Sequence, residues 1–240
     1  MTRRQVTDVS VASEKIVEPL TLAVVSDLHN GDYQDAIPWL KQADAILIVG
    51  DLVNRHRDTF DNAVRFLQDA PDLAPTFYAI GNHEWKFKQR AAYWHHVEKS
   101  RVTVLDNRFL SFRGILLGGL SSAPQGEVDA GFLSEADADP AFKLLMCHQP
   151  EYFERYVQPH DIDLTVAGHA HGGQMQLMGR GLYAPNQGLL PRWTHGFYFD
   201  GRLLVSRGMT NSAGFFRVNN PCELILLRLQ RDETHEASVF

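Results

Sequence analysis

Leu20-Thr21-Leu22-Ala23-Val24-Val25-Ser26-Asp27-Leu28-His29 is an apolar run that ends abruptly in polar residues suited to metal. A continuous apolar run, as opposed to an alternating one, marks a strand buried on both faces. The polar residues sit where strand gives way to loop, the edge of an α/β sheet at which ligands bind. The arrangement recurs four times. Ala45–Val49 leads into Gly50-Asp51, Thr76–Ile80 into Gly81-Asn82-His83-Glu84, and Leu144-Leu145-Met146-Cys147 into His148. Finally Leu164–Ala167 leads into Gly168-His169-Ala170-His171.

Between the first three runs lie candidate helices at 34–42, 58–69 and 86–99, so strand and helix alternate. That alternation predicts parallel βαβ units in a layered α/β fold. In the second half, 101–105, 109–112 and 115–120 are close together and read as an antiparallel meander, with Gly114 in a tight turn. Strands at 143–147 and 164–167 enclose a candidate helix at 150–156, and 174–177, 196–199, 203–206 and 222–229 complete a second sheet. Two packed sheets flanked by helices is the architecture these elements predict. Residues 1–17 read as a loose arm or an edge strand, and the tail from Arg231 as frayed. Residues 180–193, rich in Gly and Pro, read as a long loop of the kind that shapes substrate choice.

With 240 residues and no repeat or linker, the chain reads as one domain over 1–240. A formal net charge of −6 without a basic stripe argues against a nucleic-acid backbone as partner. Only Cys147 and Cys222 occur, which fits free thiols in a reducing compartment. No window is long and apolar enough to span a bilayer. The expectation is a cytoplasmic protein, with peripheral membrane contact through a surface patch left open.

The motifs offer Asp27, His29, Asp51, Asn82, His148, His169 and His171 as ligands, with His83 to spare. Carboxylate, amide and imidazole donors suit a pair of divalent or trivalent ions such as Mn, Fe or Zn. Thiolate is missing, which argues against structural zinc and iron–sulfur sites. Residues i and i+2 of an extended segment point the same way, so Asp27 with His29, and His169 with His171, are each expected to face one ion. Asp51 follows Gly50, where the backbone can turn sharply, and is the natural bridge between two cations. Each motif alone is weak: Asp-X-His at a strand end is commonly a cap beside a surface histidine, and Gly81-Asn82 alone is a turn signal. The ordered set is what points to a two-metal site.

This set resembles the calcineurin-like metallophosphoesterase superfamily over residues 20 to 229. The resemblance implies a four-layer αββα sandwich of two mixed sheets. It implies one ion on Asp27, His29, Asp51 and His171, and a second on Asp51, Asn82, His148 and His169. His83 would be the catalytic non-ligand histidine near the leaving group. The stretch Gly168-His169-Ala170-His171-Gly172-Gly173-Gln174, with Val205-Ser206-Arg207-Gly208-Met209, is similar to a bacterial phosphodiesterase subgroup. Many of that subgroup carry an N-terminal membrane helix, and one branch hydrolyses the pyrophosphate of a UDP-diacylglucosamine lipid. No such helix is present here.

The implied activity is two-metal hydrolysis of phosphoric esters, foremost phosphodiesters, with a shared bridging water activated as nucleophile. Phosphomonoesters and nucleotide-sugar lipid pyrophosphates are alternatives, as is an inactive binding module on the same fold. His83 is expected to protonate the leaving alkoxide. Where the phosphoprotein phosphatase branch has an aspartate, this chain has Asn54, whose amide is expected to accept from His83 and make it a weaker acid. Glu84 is expected to brace the loop. Asn30, Asn54, Arg55 and His195 are the candidates for contact with substrate, which is a small-molecule or lipid-linked phosphoester.

Overall fold

The computed structural model describes residues 4–123, 127–211 and 216–233. The first sheet comprises β1 (Gln5–Ser13), β2 (Leu20–Val25), β3 (Ala45–Val49), β4 (Thr76–Ala79), β5 (Thr103–Val104) and the late strand β16 (Glu223–Arg231). The second begins with β6 (Arg108–Phe112), β7 (Ile115–Leu120), β8 (Phe142–Cys147) and β9 (Leu164–Ala167). Two small hairpins follow, β10 (Gln176–Leu177) with β11 (Arg180–Gly181), and β12 (Tyr183–Ala184) with β13 (Gly188–Leu189). Then β14 (Gly196–Tyr198) and β15 (Leu203–Val205) complete the second sheet. The strand orders are β1-β16-β2-β3-β4-β5 and β14-β15-β9-β8-β7-β6.

Both sheets are mixed. β2 to β5 run parallel, as do β7, β8, β9 and β15, while β16 is antiparallel to β2, β6 to β7 and β14 to β15. Continuous apolar runs follow from burial on both faces. Leu22 and Val24 of β2, with Leu47 and Val49 of β3, face Leu144, Met146 and Val166 of the other sheet. Ala23, Val25, Ile46 and Ile48, one residue out of phase, face the helices. Those helices are α1 (Ile37–Leu40), α2 (Asp61–Leu73), α3 (Asn82–Lys86) and α4 (Arg90–Lys99). The far face of the second sheet is covered by 3-10 turns at Gly131–Ala136, the π-helical turn Phe153–Val157 and Trp193. The layers are therefore the expected αββα sandwich, with a thin outer layer on the second sheet. Among the described residues no helix is long and apolar enough to cross a membrane.

Residues 5–13 take the edge-strand reading, paired with β16, with Val9 and Val11 against the central core. Other sequence expectations are corrected. Residues 103–104 pair in parallel with β4 instead of joining a meander. They follow α4, and a strand reached through a helical crossover returns parallel in the same sheet. Segment 222–229 belongs to the first sheet as β16, where Leu224 and Leu226 are buried on one side and Ile225, Leu227 and Leu229 on the other. The extended part of 174–177 is a hairpin strand, Gln176–Leu177, outside both large sheets. In the span read as a helix at 86–99, Lys86 ends α3 and α4 begins only at Arg90; between them Phe87 has an extended backbone and a buried ring. The tail is strand through Arg231, and residues 234–240 lie outside the described residues.

Candidate metal centre

All five motifs lie past the C-terminal ends of parallel strands, at the same edge of the sandwich. The two sheets meet there: His148 after β8 places Nδ1 2.8 Å from the Val49 carbonyl at the end of β3. The backbone is not extended as expected. Asp27, His29, Asp51, His169 and His171 all have φ between 48° and 65°. Non-glycine residues seldom adopt this left-handed region, and such strain clusters at functional sites. Leu28 turns into the core while Asp27 and His29 converge on one another. His169 and His171, in contrast, point to different clusters.

In one cluster Asp27 Oδ1 lies 3.7 Å from His29 Nε2 and 3.5 Å from His171 Nε2, with 3.3 Å between the two imidazole nitrogens. In the other, His148 Nε2 is 3.0 Å from Asp51 Oδ2 and 3.3 Å from His169 Nδ1. Asp51 Oδ2 is also 4.0 Å from His29 Nε2, so its carboxylate stands between the groups. All six residues are buried. His83 Nε2 lies 3.9 Å from Asp51 Oδ2 and also forms a three-residue group with His29 and Asp51. Asn82 Oδ1 is buried with no hydrogen-bond partner. A buried amide oxygen left bare is costly, and a cation beside it would satisfy it.

Neighbours fix the imidazoles. His29 Nδ1 reaches the Val53 carbonyl at 3.2 Å, and His148 Nδ1 reaches Val49, which keeps both Nε2 atoms free as ligand atoms. His169 is reversed, with Nδ1 toward the cluster and Nε2 3.0 Å from the Asn186 amide. Glu84 braces the loop as expected: its carboxylate accepts N–H bonds from Gly81, Asp51, Leu52 and Val53. The late segment 205–209 braces the first motif. Met209 N–H reaches the Ser26 carbonyl, and a side chain on Gly208, at φ 78°, would press against Asp27.

Electrostatics follow from this crowding. Burial pushes the Asp51 carboxyl up, but the His148 and His83 imidazoles override it and hold it well below the usual carboxylate range. Burial alone would lower His148; Asp51 and then Asp27 reverse that and raise it to about 10. His169 and His171 are driven down, to about 3 and about 4, chiefly by burial. Burial also lowers His83 to about 3 against the pull of Asp51. Glu84 is pushed up to about 7 by burial and by Asp51.

A cavity of about 380 Å³ opens over the cluster, and its wall includes Arg55, His83, Lys86, Gln149, Tyr152 and Asn186. Of the residues expected to touch substrate, Arg55 alone lines it. Asn30 instead holds α2: its Oδ1 accepts the Ala63 N–H at 3.0 Å. Asn54 Oδ1 accepts the His56 N–H, so it does not brace His83 as expected. The Arg55 N–H takes that place, 3.1 Å from His83 Nδ1. His195 packs on Gln176 and Thr194. Sequence reasoning missed Asn186, whose only signal was its place in the Gly/Pro loop. It also missed Arg217, which reaches His171 Nδ1 at 3.1 Å from 46 residues downstream and carries no local signal.

The calcineurin-like phosphoesterase profile matches residues 20–173. The chain therefore belongs to that family. It is 29% identical to an uncharacterised metallophosphoesterase of Campylobacter jejuni, over 94% of this chain and 63% of that protein. It is 26% identical to an uncharacterised metallophosphoesterase of Helicobacter pylori, over 73% of this chain and 50% of that protein. A transmembrane protein with a metallophosphoesterase domain from Danio rerio is 24% identical over 71% of this chain and 45% of its own length. The chain thus spans about half to two thirds of the length of these relatives.

Proposed function

We propose that this calcineurin-like phosphoesterase is a two-metal hydrolase of phosphoric esters that prefers phosphodiesters. The observation that carries the reading is the position of Asp51 between the Asp27–His29–His171 and Asp51–His148–His169 groups. The donors fit a metal pair: imidazole nitrogen and carboxylate oxygen converge without thiolate, and the bare Asn82 oxygen waits beside them. Asp27, His29, Asp51 and His171 would hold one ion, and Asp51, Asn82, His148 and His169 the other. Mn, Fe and Zn all accept this set. When bound, such a pair supplies Lewis acidity, which activates water and neutralises charge developing on phosphoryl oxygens. Since both sheets contribute ligands, we take the described chain to act as one catalytic domain.

The remaining chemistry falls to the cavity wall. Arg55 and Lys86 bring positive charge to the phosphoryl end of a bound ester. Because His83 Nδ1 accepts the Arg55 N–H, its Nε2 carries the proton and can donate to the leaving oxygen. The wall beyond the ions, with Gln149, Tyr152 and Asn186, leaves room for a second substituent on phosphorus. That room and a weak acid both favour diesters with stable leaving groups over monoesters with poor ones. The test is hydrolysis of bis-p-nitrophenyl phosphate against p-nitrophenyl phosphate after loading with Mn²⁺, with metal content measured in parallel. The expected result is about two ions per chain and faster diester hydrolysis, with both ions weakened in Asp51→Asn. A folded protein that binds no metal, or an Asp51→Asn variant that keeps both ions, would sink the reading.

A further inference from the structure

We propose that the hairpin face beside the cavity, built from β10–β11, β12–β13 and Phe216–Val218, docks on an anionic lipid bilayer. Apolar side chains that a folded protein normally hides stand out here. Met178 is 98% exposed at the tip of the first hairpin, Leu189 and Leu190 are 82% and 72% exposed at the end of the second, and Phe216 is 88% exposed. They belong to one surface. Met175, Tyr183 and Leu189 line a shared apolar groove of about 380 Å³, and Met175 pairs with Val218 across an isolated bridge. Leu190 shares the neighbouring depression with Arg180, Pro191 and Arg192. Exposed apolar clusters of this kind mark interaction surfaces.

Charge selects the partner. The whole chain has a formal net charge of −6, and of the five arginines in residues 171–222 Arg202, Arg207 and Arg217 are engaged within the fold, Arg207 with Glu223. That leaves Arg180 and Arg192, the latter 3.4 Å from Glu154, for this face. Arg180 and Arg192 are exposed among the apolar tips. Apolar and aromatic side chains rimmed by arginine match the interfacial zone of a bilayer, where the apolar tips enter the acyl boundary and the guanidinium groups meet anionic headgroups. The surface adjoins the cavity, since Asn186 in the turn of β12–β13 reaches His169 at 3.0 Å. Docking would therefore bring the cavity mouth close to the membrane plane. The inference does not depend on the catalytic reading.

Sedimentation of the metal-loaded full chain with vesicles tests it. The protein should pellet with mixed phosphatidylglycerol–phosphatidylcholine vesicles, and much less with phosphatidylcholine alone or at high salt. The double substitution Met178→Asp with Leu189→Asp should lower partitioning by about tenfold or more. Arg180→Glu with Arg192→Glu should remove the preference for the anionic lipid. These residues sit on exposed tips, so circular dichroism and hydrolysis of a soluble diester should be unchanged. Asp51→Asn should still bind vesicles as the parent protein does, which separates this inference from the catalytic one. Failure of the parent protein to bind either vesicle would overturn the proposal, as would variants that pellet unchanged. Variants that instead dissolve a dimer, with no effect on vesicles, would assign the face to a second copy of the chain.

Discussion

A histidine whose Nδ1 accepts a backbone N–H keeps its one neutral-state proton on Nε2. His83 is in this position, because the Arg55 N–H reaches its Nδ1 at 3.1 Å. Protonating Nδ1 would set two N–H groups against each other, and burial already lowers this imidazole to about 3. The motif Gly81-Asn82-His83-Glu84 announced a special histidine, but its partner was read wrongly as Asn54. The spacing of residues along a loop does not reveal which backbone N–H will turn inward. As a neutral donor, His83 stabilises a leaving oxygen without delivering a full proton. His83→Ala should therefore keep both ions and fold. It should slow an alkyl phosphodiester by roughly 10²-fold, the low end of general-acid effects, and leave p-nitrophenolate release nearly unchanged. Loss of metal in that variant would make His83 a ligand, an outcome the His29–Asp51–His83 group leaves room for. Equal slowing of both leaving groups would make it a phosphate-binding residue.

Helix α2 starts without help from its own sequence, since Phe60 at the N-cap makes no side-chain bond. Asn30, from the loop that carries the first motif, supplies the missing acceptor to the Ala63 N–H. This ties the helix to the ligand loop, and it converts a substrate candidate into a structural one. Asn30→Ala should lower stability by about 1 kcal/mol, the usual worth of a helix cap, with little change in KM for a soluble diester. A large KM change at unaltered stability would return Asn30 to the substrate site. The same distinction explains what was legible among the elements. Strands β2, β3, β4, β8 and β9 were read within a residue or two, because burial on both faces writes an uninterrupted apolar run. β1 was obscured because an edge strand, exposed along one side, is polar at many positions. Sheet membership was not legible for β5 and β16, since local pattern says nothing about which distant strand supplies the partner. Of the small hairpins only β10 fell in a segment read as strand, and there in the wrong sheet, because two-residue strands carry no period at all.

At the scale of the whole molecule, the two sheets are joined at the motif-bearing edge by Asp51 and His148, whose protonation would change if they bind metal. Without metal, the His148 imidazolium is held by Asp51 at 3.0 Å and titrates at about 10. Its unfolded counterpart titrates near 6.5. Because the folded value is raised, this pair's contribution is fully present below about pH 6.5 and is lost as pH rises through about 10. Asp51 works in the opposite direction: its folded value is depressed, so its contribution is present above about pH 4 and is lost as pH falls. His83, His169 and His171, lowered to between about 3 and 4, cost stability as pH falls below about 6.5, so chelated protein should melt at its highest temperature near pH 6.5 and lose stability toward pH 4 and toward pH 10. Metal removes the need for the proton, since a ligating imidazole must be neutral. Uptake of Mn²⁺ near pH 7.5 should release close to one proton per chain from His148, with His29, also raised, adding to it. Release should diminish as the starting pH approaches 10, and the alkaline loss of stability should vanish in the loaded protein. Potentiometric titration of the chelated protein with MnCl₂ in weakly buffered solution measures the first effect, and thermal melts across pH measure the second. Metal uptake without proton release near neutral pH would mean that His148 is neutral before the ions arrive, and the link across the two sheets would then not be an ion pair.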